Sequence, residues 1–284
     1  YISPVTISSA WENKKLFENY KDEVVTSFDG KPALITESAT QALLLALQQI
    51  GLNKDDEVWI LTTTGNTYIS ACVTDTIREI CAWSRVKSER TRAILVNHEF
   101  GFAYSNLAEL KQFNLPIIED VAYSMFSQNE QKNVGSVGDY AIYSLAKMFP
   151  VQAGGILVNN TKVALPKSEC SAEMSRYFSA VLAQGLKDRK EIISARRRNY
   201  SAFEKEFSKL GLPARFELTD ADVPGAFLFK GIGINLPNLK KQLQQNGVEC
   251  SVFYGEESFY IPCHQDLSSM HIEYLVELVK FHIK

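Results

Sequence analysis

The chain has 284 residues, 45% of them hydrophobic, enough apolar material for the core of one large domain and a smaller one. Its net charge is -3, and its lysines and arginines are scattered apart from the Arg196, Arg197, Arg198 triplet, so no phosphate-tracking surface and no nucleic-acid partner is expected. No apolar run approaches membrane-spanning length, and five widely spaced cysteines without a CxxC pair argue against a disulfide framework or a metal site. Cytoplasmic residence is the default expectation. No signal peptide is read, although the sequence begins at Tyr1 and not at Met.

Residues 1–30 read as an N-terminal arm with one helix in SSAWENKKLFENYKDEVVTSF. KPALITESATQALLLALQQIGL then gives a short strand, a turn of small polar residues, and a mostly buried helix from about Thr40 to Ile50. Ser38, Ala39 and Thr40 stand at that helix's N-terminus, where free N–H groups and the positive end of the dipole favour a phosphate. Simple N-capping by Ser38 or Thr40 accounts for the same residues. EVWILTT is a second strand, with Gly65, Asn66, Thr67 and Tyr68 where it ends. TRAILVNHEFGF is a third, ending near His98, and SNLAELKQFN is an amphipathic helix leading to a strand that ends at Asp120. Strand and helix alternate from about Ala33 to Val158, the pattern of an α/β domain with a mostly parallel central sheet flanked by helices.

The character changes after GGILVNN. A charged helical stretch spans about residues 168–210. Beyond it, ADVPGAFLFKGIGINLP and GVECSVFYG read as strands, LKKQLQQN as a helix between them, and SSMHIEYLVELVKFHIK as a closing helix. The expected division is an arm (1–30), a large α/β domain (31–165), and a linking helix with a smaller α+β C-terminal domain (166–284).

The stretch from Leu115 to Asn160 carries the chemistry. One apolar run delivers Asp120 and the next leads into Lys147, as buried parallel strands deliver side chains to the carboxyl edge of a sheet. A lysine that forms an imine and an aspartate that keeps a pyridine nitrogen protonated are the minimum equipment for pyridoxal 5'-phosphate. Taken alone, the two residues read as well, or better, as a structural aspartate and a solvated lysine.

Seven motifs in register change that balance. SATQALLLAL, DDEVWIL, VNHEFG, IIEDVAYS, VGSVGDYAIYSLAK, GGILVNN and YIPCHQDLSSMHIEYL resemble, in order, the signature segments of the DegT/DnrJ/EryC1/StrS family, fold type I pyridoxal phosphate aminotransferases. The resemblance implies that Ala39 and Thr40, with Ser38, hold the cofactor phosphate. It makes Asp120 the pyridine partner, Lys147 the Schiff-base lysine and Ser144 a cofactor-site serine. Tyr123 stands where the family has a Gln or His bonded to the ring oxygen. Gly65 replaces the usual stacking aromatic, with Tyr68 one helical turn on as a substitute. His98 either lines the pocket or is a hydrogen-bonded structural histidine. His264 is expected to anchor the C-terminal domain. The implied activity is amino transfer, from a donor such as glutamate, to a nucleotide-linked keto sugar by a homodimer. Two alternatives remain open: a sugar dehydratase on the same scaffold, and a non-catalytic member that binds a sugar nucleotide or a partner. The segment from Ser144 to Lys147 is two residues shorter than usual, and the family's cross-dimer Gly-x-Asn-x-Arg segment is not recognisable.

Overall fold

In the computed structural model, residues 5–129 and 132–283 are described; the first four residues of the expected arm lie outside them. Thr6 starts helix α1 (Ile7–Asn19) with a capping box, its hydroxyl accepting from Ser9 N–H at 3.1 Å while Ser9 Oγ accepts from Thr6 N–H at 2.8 Å. The helix is shorter than expected. Ser27 and Phe28 instead form β1 (Ser27–Phe28), which turns through Asp29 and Gly30, at φ 48° and 74°, into β2 (Lys31–Thr36). Two positive φ values are what a two-residue hairpin turn requires, and Asp-Gly supplies them cheaply.

The large domain continues through α2 (Ala39–Ile50), β3 (Glu57–Thr62), α3 (Ala71–Arg78), β4 (Ala82–Ser84), β5 (Thr91–Asn97), β6 (Ile117–Asp120), the small hairpin β7 (Gln128–Asn129) and β8 (Lys132–Asn133), β9 (Tyr140–Ser144), the single turn α4 (Leu145–Met148) and β10 (Gly155–Asn159). The main sheet has the order β1-β2-β10-β9-β6-β5-β3-β4. Neighbours from β9 to β4 pair in parallel, whereas β10 is antiparallel to both β2 and β9. The strands β2, β3, β5, β6 and β9 therefore end on one edge, and β10 begins there. Alternation along β9 sends Tyr140 and Ile142 to the face covered by α2, and Ala141 and Tyr143 to the opposite face.

SNLAELKQFN departs from expectation. It forms a 3₁₀ segment, Leu107–Phe113, closed by Asn114 at φ 51°. Only Leu107 and Leu110 of it are buried, so an i,i+3 pair decides its geometry where a full α-helical stripe was expected.

Helices α5 (Ala172–Lys187) and α6 (Arg189–Lys209) form the link, with Phe178, Val181 and Leu182 of α5 packed into the large domain's core. The C-terminal region contains β11 (Ala226–Lys230), α7 (Leu236–Gln245), β12 (Ser251–Phe253), β13 (Ser258–Pro262) and α8 (Ser269–His282). Its sheet runs β11-β13-β12, and β11 stops at Lys230, so GIGINLP is a turn and a helix start, not strand. Phe203 and Phe207 of α6 pack on Phe227, and Phe207 also on Phe229, which ties the link to this second core. Among the described residues no helix is long and apolar enough to cross a membrane.

Candidate active site

The strand ends converge on a cavity of ≈ 470 Å³ between the edge of the main sheet and the C-terminal region. Its walls include Ser38, Ala39, Thr40, Tyr68, His98, Asp120, Tyr123, Ser144 and Lys147, so nine of the ten residues singled out in the sequence are brought together. Gly65 is the exception: it lies in the turn after β3 at φ 74°, outside the wall, with open space where a Cβ would point.

Asp120 closes β6 and is almost wholly buried. Its Oδ2 accepts from Asn97 Nδ2 at 2.8 Å and its Oδ1 from Ala122 N–H at 3.1 Å. Burial pushes its carboxyl up from the ordinary value, against the pull of those two donors and of His98. Each oxygen retains a lone pair for one more donor, and a cationic N–H would relieve the buried charge.

Neighbouring Glu119 has a different task. It accepts N–H bonds from Gly135, Val137 and Gly138 at 2.7, 2.9 and 2.5 Å, fixing the loop that leads into β9. Burial alone would raise its carboxyl, but His98 and the Gly138 and Gly135 amides outweigh it and hold it below the ordinary value. His98 accepts from Tyr104 N–H at Nδ1 (3.0 Å), which assigns the proton to Nε2, 3.1 Å from Glu119 Oε2. Both nitrogens are thus occupied, so His98 is a hydrogen-bonded histidine that also lines the cavity.

At the other end of the cavity, Ser38 caps α2 by accepting from Gln41 N–H at 3.1 Å. The capping reading is correct, and it leaves the first-turn N–H groups of Ala39 and Thr40 for an anion. Gly155, the first residue of β10, makes room for this turn. A Cβ there would lie 2.4 Å from Ser38 C and 2.5 Å from Ala39 N.

Lys147 projects from α4, one turn beyond β9, with Nζ 5.1 Å from the centre of the Tyr123 ring. Tyr123 is the strongest influence on its charge and raises it above the ordinary lysine value; burial works the other way, and Glu249 and Cys72 add to the rise. The loop behind Lys147 is held by Arg196, fully buried, which donates to the carbonyls of Lys147, Met148 and Pro224 at 3.2 Å each and to Gln265 Oε1 at 2.9 Å. Arg196 was passed over in the sequence as part of a surface triplet, since nothing in RRR separates a buried guanidinium from solvated ones.

Two aromatic residues shape the remaining wall. Asn66 Oδ1 accepts from Tyr68 N–H at 2.6 Å, and the Tyr68 ring packs edge-on against Phe253 at 5.3 Å. Phe100, not foreseen as a site residue, holds φ 54° and packs against Tyr123 and Phe253 at 5.3 Å each. A left-handed phenylalanine is uncommon and marks a position fixed by its surroundings, here by Gly225 N–H donating to its carbonyl at 2.7 Å.

These parts fit pyridoxal phosphate: a first-turn amide pair kept open by a required glycine, a buried carboxylate with spare lone pairs, and a lysine in the same cavity. The architecture is that of the fold type I pyridoxal phosphate enzymes. A putative sugar aminotransferase from Streptococcus pneumoniae superposes with TM-score 0.75 over 98% of this chain and 96% of its own at 15% identity. An Escherichia coli GDP-4-keto-6-deoxy-D-mannose-3-dehydratase does so with TM-score 0.74 over 98% of each chain at 17% identity. Residues 84–170 match the model of the DegT/DnrJ/EryC1/StrS aminotransferase family. Among curated proteins, it is 27% identical over 180 residues to a putative L-glutamine:3-amino-2,3-dideoxy-scyllo-inosose aminotransferase of Micromonospora echinospora, covering 57% of this chain and 43% of that protein. It is likewise 27% identical to the UDP-4-amino-4,6-dideoxy-N-acetyl-beta-L-altrosamine transaminase of Campylobacter jejuni, over 54% of this chain and 46% of that protein. The matches thus span less than half the length of these relatives.

Proposed function

We propose that this chain is a pyridoxal phosphate-dependent aminotransferase that moves an amino group, from a donor such as glutamate, to a nucleotide-linked keto sugar, acting as a homodimer. The observation that carries the reading is the meeting of Asp120 and Lys147 in one cavity with the Ser38–Thr40 turn. When bound, the cofactor supplies an electron sink that lets the donor's alpha carbon lose its proton.

The chain's own residues supply the rest. Ala39 and Thr40 N–H groups hold the phosphate, with Ser38 capping the helix behind them, and Asp120 accepts the pyridine N–H. Lys147 would hold the cofactor through its Nζ, and the same nitrogen would move a proton within the cavity. Tyr123, Ser144 and Tyr68 line the cavity and would help to hold the cofactor there. In this reading residues 31–165 bind the cofactor and residues 166–284 close over the substrate. The test is turnover: protein loaded with the cofactor, given glutamate and a nucleotide-linked keto sugar, releases 2-oxoglutarate and an amino sugar, and Lys147→Ala releases neither. Binding of the cofactor without an amino sugar formed from any keto sugar offered would refute amino transfer. A dehydratase on the same scaffold is the second reading; dehydratases resembling this family tend to replace the lysine with histidine, and Lys147 favours transfer.

A further inference from the structure

Lys147 does not reach into an open cavity unsupported. Its Nζ lies 5.1 Å from the centre of the Tyr123 ring. That ring is itself held: Phe100 packs against it at 5.3 Å, and Gly225 is pressed so closely that a Cβ there would fall 2.7 Å from Tyr123 Cδ1 and 2.9 Å from the Tyr123 carbonyl oxygen. Phe100 and Gly225 are joined by the 2.7 Å bond from Gly225 N–H to the Phe100 carbonyl, so the two walls of the slot are one unit. Gly225 immediately precedes β11 of the C-terminal sheet. The slot therefore joins the large domain's catalytic loop to the smaller region.

We propose that Tyr123 is the positioning residue of Lys147: its clamped ring seats the lysine ammonium at the cavity wall. The proposal rests on the reading of Lys147 as the imine-forming lysine. A cation over an aromatic face is held by the ring's quadrupole even where the lysine is exposed to solvent, as Lys147 is in this chain. The phenol oxygen adds to the hold on the charge. The other groups facing Lys147 are Glu249, which precedes β12, and Cys72 in α3. Asp120, Glu99, His98, Tyr68 and Tyr260 share the cavity. His98 is tied to Glu119 and Tyr104, so it is not placed to take over the seat.

The experiment uses cofactor-free protein, so failure of the proposal and failure of the cofactor reading are separate outcomes. Lysines are acetylated competitively with acetic anhydride across a pH series, and the peptide carrying Lys147 is quantified by mass spectrometry in wild type, Tyr123→Phe and Tyr123→Leu. Thermal melts check that each variant is folded; Tyr123→Phe keeps the packed ring, so it remains informative even if Tyr123→Leu does not fold. The expected result is a labelling midpoint for Lys147 lower in Tyr123→Leu by about half a unit to one unit, a roughly three- to tenfold faster labelling near neutral pH. Tyr123→Phe falls between wild type and Tyr123→Leu. A Tyr123→Leu midpoint equal to wild type, or a Tyr123→Phe midpoint no higher than that of Tyr123→Leu, overturns the proposal. If only Tyr123→Phe folds, a midpoint one unit or more below wild type overturns it.

Discussion

The closest backbone approach at the site is Gly155 against the Ser38–Ala39 peptide, and Gly155→Ala tests what it does. The added carbon would lie 2.4 Å from Ser38 C, 2.5 Å from Ala39 N and 2.5 Å from Ser38 O. Carbon–carbon contact needs about 3.5 Å, so something must retreat by about 1 Å. Neither side gives readily. Gly155 is paired with Thr36 on one flank and Ser144 on the other. The Ser38 carbonyl accepts from Thr36 Oγ1 at 2.8 Å and from Ala42 N–H at 3.1 Å. Overpacking of this kind costs about 1–3 kcal/mol. If the turn moves, the first-turn amides lose their aim at a phosphate, and charge-assisted bonds contribute about 1.5–3 kcal/mol each. The assay compares the affinity of wild type and variant for pyridoxal phosphate and for pyridoxal, which lacks the phosphate. Gly155→Ala is expected to weaken the phosphorylated form by about tenfold or more while pyridoxal changes little. An unchanged ratio of the two affinities would refute the assignment of the phosphate turn.

Three more outcomes follow from the geometry. Asp120→Ala is expected to abolish amino transfer while the cofactor-free protein stays folded by circular dichroism. The pH dependence of its stability has a definite sign. Burial raises the Asp120 carboxyl above its unfolded value of 3.8, so the folded chain binds that proton more tightly. Its contribution is full below the unfolded value and is lost as pH rises through the raised one. The stability deficit of Asp120→Ala relative to wild type, read by urea unfolding, should therefore be largest in acid and narrow as pH rises; a deficit that grows with pH contradicts the account. Arg196→Leu strands the carbonyls of Lys147 and Pro224 and the Gln265 amide oxygen in the interior, while the Met148 carbonyl keeps its bond from Gln265 Nε2. It should cost about 3–6 kcal/mol in the same unfolding experiment, and a loss under about 1 kcal/mol would show that the loop behind Lys147 is held by other means.

The parts of the site that were legible in the sequence are those where one residue and its strand carry the message. Asp120 and Lys147 each follow an apolar run, and a parallel sheet puts the ends of such runs on one edge. Ser38 was legible twice over, as a cap and as part of a phosphate turn, and the structure uses it as a cap. Long-range contacts were not legible. Phe100 stands in HEFG with no local sign that it adopts a left-handed conformation; its position is set by Gly225, more than a hundred residues away. The clamp on Tyr123 arises from the same contact. Gly65 was placed at the site by its distance from a strand, but the turn after β3 points it away. The 3₁₀ segment at Leu107 was misread because a short amphipathic pattern does not separate an i,i+3 pair from a helical stripe.

The central claim is that Lys147 is the residue that takes the cofactor. Protein incubated with pyridoxal phosphate, reduced with borohydride and digested should carry the reduced cofactor's added mass on the peptide containing Lys147, and Lys147→Ala should carry none. An adduct on a different lysine, or none in the wild type, would contradict the account.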